Sequence, residues 1–295
     1  SGINWFTLSE QTFINALRFD KDRFVQKDIR GGSVHLHGIA VDPSNPNILY
    51  VGSNHDPSTY SSKPVTGAHI FKSNDSGVSW EEIGENFPRE AETAVRVITV
   101  NPHNSKVIYV GTSENESIVG NGLWISQDNG STWLQSNNGL KSNANINQIV
   151  VHPSDPKLLL VGTRDGLYRS SDAAQTWYEI DSSGQVWDIE FNPQNPNNVY
   201  LGTSTGLKFS SDFGETIKQV TPDQLDGPVM SVAVNCNGTA LYISDLEHGV
   251  LVTLSDSAIS VPIDETRGVE YGQFTSANPE STRFTSREDN SNGNN

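Results

Sequence analysis

Apolar and polar residues alternate along most of this chain in short runs that return in a fixed order. Val34–Pro43, Val95–Pro102, Ile146–Pro153 and Val186–Pro193 each carry an alternating stretch that closes on a proline, and Val229–Cys236 repeats the stretch without it. A more continuous apolar run follows each one: Ile48–Ser53, Val107–Gly111, Leu158–Gly162, Val199–Gly202 and Ala240–Ser244. A third run then appears at His69–Lys72, Gly122–Ile125, Gly166–Arg169, Gly206–Phe209 and Gly249–Val252, and a fourth, shorter one at Trp80–Ile83 and Trp177–Ile180. Short period-two runs bounded by turn residues read as strands. Four of them per unit, repeating at about forty to sixty residues, predict the blades of a β-propeller. The expected fold is all-β, a single β-propeller of four-stranded blades with five blades explicit.

Between third and fourth runs stands a recurring acidic turn. It reads Ser73-Asn-Asp-Ser-Gly-Val-Ser-Trp80, Ser126-Gln-Asp-Asn-Gly-Ser-Thr-Trp133, Ser170-Ser-Asp-Ala-Ala-Gln-Thr-Trp177 and Ser210-Ser-Asp-Phe-Gly-Glu-Thr-Ile217, with a worn copy at Leu254-Ser-Asp-Ser-Ala-Ile259. The Asp side chain suits acceptance from backbone N–H groups, Gly supplies a positive φ, and Trp packs beneath. The motif resembles the BNR or Asp-box repeat of sialidase-like propellers, and the resemblance covers nearly the whole chain. His35-Leu-His-Gly-Ile-Ala-Val-Asp-Pro43 with Tyr50-Val-Gly-Ser-Asn-His55 is similar to the opening blade of small glycosyl-hydrolase-like proteins of that superfamily. Such a motif marks a fold and accompanies many activities.

Residues 1–33 read as an N-terminal arm with a ring-closing strand at 4–8 and a short helix at 9–20, residues 34–275 as the propeller, and 276–295 as a polar tail. Apolar positions within 268–274 and 282–285 leave room for a composite sixth blade completed by the arm.

Composition narrows the partners. With 19 basic and 35 acidic residues the net charge is −16, and no basic run is present to neutralise phosphates, which argues against nucleic acid. Photosystem assembly propellers of this repeat type present a basic patch that this chain lacks. A single Cys excludes a disulfide framework, and Cys236 is expected inside as a small apolar residue. There is no membrane-spanning run. Acidity and Asn/Ser/Asp-rich turns suit a secreted, periplasmic or cell-surface protein whose leader has been removed.

Aligning the units places Ile39, Ile98, Ile149, Ile189 and Val232 in register, and likewise Val41, Val100, Val151, Phe191 and Val234; both sets are expected to pack between blades. The start of each inner strand is instead His37, Arg96, Asn147, Trp187 and Met230, polar, aromatic and varied. That end also carries the long loops 54–68 and 113–121, whereas the acidic turns fall on the opposite rim as scaffold. Candidate ligand contacts are therefore Arg96, Asn147, Arg164 and Trp187. Four histidines, His35, His37, His55 and His69, gather at this end of the first unit with Asp56, a donor set for zinc, copper or another divalent ion. The bland alternative is that they hydrogen-bond in a polar channel mouth. His103 and His152 belong to the other rim.

Two function classes remain. A propeller could bind a protein partner or a glycan through this face, as a subunit or assembly factor, with the tail docking on a partner. A carbohydrate-active enzyme would need two carboxylates, for which Asp188, Glu190 and Asp56 are candidates, with Glu114, Asp165 and Glu247 at equivalent loop positions. The resemblance implies three arginines and a Tyr–Glu pair for a true sialidase. This chain has no Arg-Ile-Pro in its first unit and offers only Arg96 and Arg164 on this face, so that activity is not expected.

Overall fold

A computed structural model describes residues 35–54, 68–84, 86–87, 93–114, 121–220, 227–245 and 249–254. The arm, the tail and the composite sixth blade lie outside the described residues. Every alternating run within them is a strand, and among the described residues there is no helix.

The first sheet is β1 (His35–Asp42), β2 (Asn45–Asn54), β3 (His69–Ser73) and β4 (Glu81–Ile83); the second is β5 (Thr93–Val100), β6 (Ile108–Glu114), β7 (Leu123–Ser126) and β8 (Leu134–Gln135). The third is β9 (Ile146–Val151), β10 (Leu159–Thr163), β11 (Gly166–Ser170) and β12 (Tyr178–Asp181), and the fourth β13 (Val186–Asn192), β14 (Asn195–Thr203), β15 (Gly206–Ser210) and β16 (Lys218–Gln219). The fifth holds β17 (Val229–Val234), β18 (Ala240–Asp245) and β19 (Gly249–Leu254). Each is an antiparallel meander, so hairpin turns suffice to build it, and the sheets follow one another as propeller blades.

Hydrophobic cores lie in the seams between successive sheets. Ile98 of β5 is buried with Tyr50 and Ile70 of the first sheet, and Ile149 of β9 with Val97, Tyr109 and Leu123 of the second. Ile189 of β13 meets Leu160 and Leu167 of the third sheet, and Val232 of β17 meets Tyr200 and Leu207 of the fourth. Each such side chain removed from water contributes about 1.5–3 kcal/mol.

The first sheet departs from the expected packing. Ile39 is 66% exposed and Val41 51%, whereas Ile98 and Ile149, counterparts of the first, are 5% and 3% exposed, and Val100 and Val151, counterparts of the second, 7% and 5%. The cause is positional: this residue always faces the preceding sheet, and among the described residues no core cluster joins the fifth sheet to the first. Cys236 is also corrected. It is exposed, in the turn between β17 and β18, where the strand has already left the seam.

The acidic turns form as their residues dictate. In the second sheet Ser126 Oγ accepts the Gly130 amide at 2.7 Å, while the Asp128 carboxylate takes the Thr132 amide at 2.8 Å and the Thr132 hydroxyl at 2.6 Å. Gly130 has φ 88°, and Trp133, 2% exposed, donates Nε1–H to the Gly130 carbonyl at 3.0 Å. The turns at Ser73, Ser170 and Ser210 repeat the serine and aspartate bonds. The Ser79 hydroxyl and amide hold Asp75 down to about 2, and Thr132 lowers Asp128 in the same way.

Candidate functional site at the channel mouth

The opposite rim is shaped by one break in register, made five times. Pairing skips His37 between Leu36 and Gly38, Arg96 between Val95 and Val97, Asn147 between Ile146 and Gln148, Trp187 between Val186 and Asp188, and Met230 between Val229 and Ser231. A bulge of this sort bends the strand and re-aims the extra residue. Its anchor is the buried residue just before: Val95, Ile146, Val186 and Val229 are all 0–1% exposed. Each anchor fits where the preceding sheet has a glycine. A Cβ on Gly52 would lie 2.1 Å from Val95, one on Gly111 2.5 Å from Ile146, and one on Gly162 2.8 Å from Val186. The recurrent Val-Gly or Leu-Gly of the second strand is thus the hole into which the next sheet's anchor seats.

The bulged residues that follow are left out of the seams. Arg96 is exposed, Met230 is 36% exposed, and Asn147 and Trp187 are half-buried. A cleft of about 580 Å³ opens between β1, β5 and β9, with Gly38, Arg96, Thr99, Asn147 and Gln148 among its walls. Among the described residues that line it, Arg96 alone is charged. The Asn147 Nδ2 donates to the Val186 carbonyl at 2.8 Å, tying the third sheet to the fourth and leaving its oxygen as an acceptor. Arg164 is exposed in the β10–β11 turn, its amide bonded to the Asn145 carbonyl at 3.1 Å.

The candidate carboxylates have other work. Asp188 accepts the Ser231 hydroxyl at 2.6 Å and the Val232 amide at 3.0 Å from the fifth sheet, the Gln148 amide group at 3.3 Å from the third, and the Ile189 amide at 2.9 Å. It ties three sheets together, so both its oxygens are engaged in holding the fold. Glu190 sits two residues on, facing the fifth sheet, where burial first and the neighbouring Asp188 second push it up to about 7. Asp165 is exposed in its turn; Asp56 and Glu247 lie outside the described residues, as does the side chain of Glu114.

Of the four histidines, His69 opens β3 with its Nδ1 2.8 Å from Glu82 Oε1 and its ring stacked 6.2 Å from Phe71. His35 and His37 belong to β1, but their side chains and all of His55 lie outside what is described. Among the described residues no group of three or more His, Cys, Asp or Glu is placed to hold a metal. At the other rim His152 is buried, its Nδ1 accepting the Ser154 and Asp155 amides at 3.1 Å. The register breaks and the glycine holes are not legible in the alternation; the glycine repeated near the end of the second strand in four of the five sheets is the signal for them.

No described helix is long and apolar enough to cross a membrane. A family model described as Sortilin, neurotensin receptor 3 matches residues 68–165. Xyloglucanase Xgh74A of Acetivibrio thermocellus is 29% identical over 171 residues, which is 48% of this chain and 19% of that enzyme. A probable oligoxyloglucan-reducing end-specific xyloglucanase of Neosartorya fischeri is 28% identical over 159 residues, 51% of this chain and 18% of that one. The chain therefore spans about a fifth of the length of these relatives. Among solved structures, an ancestral GH74 enzyme aligns with a TM-score of 0.58 at 22% identity, over 75% of this chain and 30% of that chain. YCF48 from Cyanidioschyzon merolae aligns at 0.56 and 11% identity, over 80% and 71%. These structural likenesses establish the β-propeller, and about half of the chain is similar in sequence to xyloglucanases.

Proposed function

We propose that this chain is an extracytoplasmic Asp-box propeller, or a portion of a longer glycoside-hydrolase-like protein, that engages a glycan across its channel mouth. The observation that carries the reading is the bulge repeated in all five inner strands, which at Arg96, Asn147, Trp187 and Met230 takes one residue out of the core at the same rim. Trp187 offers an apolar face against which a sugar ring stacks, and Arg96 and Arg164 offer donors to hydroxyl oxygens. The similarity to xyloglucanases supports a polysaccharide over other ligands.

Hydrolysis by the described residues is the weaker reading. Two carboxyls about 5–9.5 Å apart across an open cleft are required. Asp188 is saturated with hydrogen bonds, and Glu190 is held in a seam. Calorimetric titration with xyloglucan oligosaccharides and other β-glucan fragments, beside a reducing-end release assay, tests both readings. Binding that weakens at least about tenfold, or 1.4 kcal/mol, in Trp187→Ala and Arg96→Ala, without sugar release, is expected. No binding to any of these glycans would remove the proposal, and release abolished by Glu190→Gln would replace it with the enzymatic reading.

A further inference from the structure

One residue breaks the apolar pattern of the seams. The inner-strand position opposite the core residue of the second strand is Ala40 against Tyr50, Thr99 against Tyr109, Val150 against Leu160 and Ala233 against Tyr242. In the fourth sheet it is Glu190 against Tyr200. Tyr200 packs on Val229 and Val232 of β17, so Glu190 is set in the seam between fourth and fifth sheets. Asp188 shares its face and is bonded across the same seam to Ser231 and Val232.

We propose that this seam is a pH-sensitive joint, tight while the Glu190 carboxyl is protonated and loosened when it ionises. Among the described residues no compensating cation faces it. β17 contributes only Val, Met, Ser and Ala, β9 and β10 carry no charged residue, and β14 contributes the phenol of Tyr200. The buried Lys208 of β15 is held on the other side, by Asp181 and Ser183 of the third sheet. An ionised Glu190 would thus add a second negative charge beside Asp188 in a partly apolar seam, the arrangement that raises a carboxyl's pKa. The folded pKa lies near 7, above an ordinary unfolded value. The folded protein therefore holds the extra proton, and stability falls as pH rises through that window and levels off above it.

Thermal unfolding of the full chain at about pH 5 and about pH 8, with hydrogen exchange of the β17 amides, tests the proposal on wild type, Glu190→Gln and Glu190→Val. The Val variant carries the side chain that Val150 places in the same position and serves if Gln fails to fold. Wild type should lose more Tm than either variant across this range. Its β17 amides should exchange about tenfold faster than the variants' at the higher pH, the factor that one unit of pKa displacement gives. Parallel pH profiles, or a difference spread evenly over all five sheets, would overturn it.

Discussion

At one rim the turns beginning at Ser73, Ser126, Ser170 and Ser210 close through the same serine and aspartate bonds in four sheets; at the other, the bulged residue is His, Arg, Asn, Trp and Met in turn. Both features repeat, so repetition alone does not separate scaffold from site. What separates them is whether the side chain at the repeated position has its valences filled internally. The aspartates are saturated by their own turns. Arg96 and Trp187 belong to none of the core clusters in the seams.

The sharpest way to break that contrast is to cut beneath an acidic turn. Trp133→Ala, at a side chain 2% exposed, should cost about 3–5 kcal/mol in a chemical denaturation curve. Ser126→Ala should cost less, about 1–3 kcal/mol, because it strands the Gly130 amide that now lies 2.7 Å from the hydroxyl. Acid should act on the same rim. The folded pKa values of Asp75 and Asp128 lie below ordinary carboxylate values, so the stability they bring is present at neutral pH and lost as pH falls through their folded pKa values, near 2 for Asp75. Thermal melts of wild type against Asp75→Asn should converge at that end of the scale. At the channel mouth, Arg96→Ala should move stability by no more than about 0.5 kcal/mol while weakening glycan binding. A loss of several kcal/mol there would erase the distinction between the rims.

Much of the fold was legible because a strand with one buried face writes its period directly into the chain, and the acidic turns punctuate it. The aligned inner-strand residues were legible too, down to the varied position at the mouth. Two things were hidden. Alternation cannot reveal a one-residue register break, so the reason why Arg96 and Trp187 leave the core appears only with the pairing of Val95 to Thr112 and Val186 to Thr203. Nor does a carboxylate announce whether its lone pairs are spent. Asp188 looked like chemistry in the sequence, and the bonds from Gln148, Ser231 and Val232 make it a strut. Ile39 and Val41 share the pattern of their buried counterparts yet lie open, since a repeat specifies which face is apolar and not what stands opposite it.

Near the end of its second strand the fifth sheet has Ser244 where the others have Gly52, Gly111, Gly162 and Gly202. A socket that is empty four times is here partly plugged by a hydroxymethyl group. A hydroxymethyl group takes up room that the glycines leave to Val95, Ile146 and Val186, so the fifth sheet offers a shallower socket than the other four.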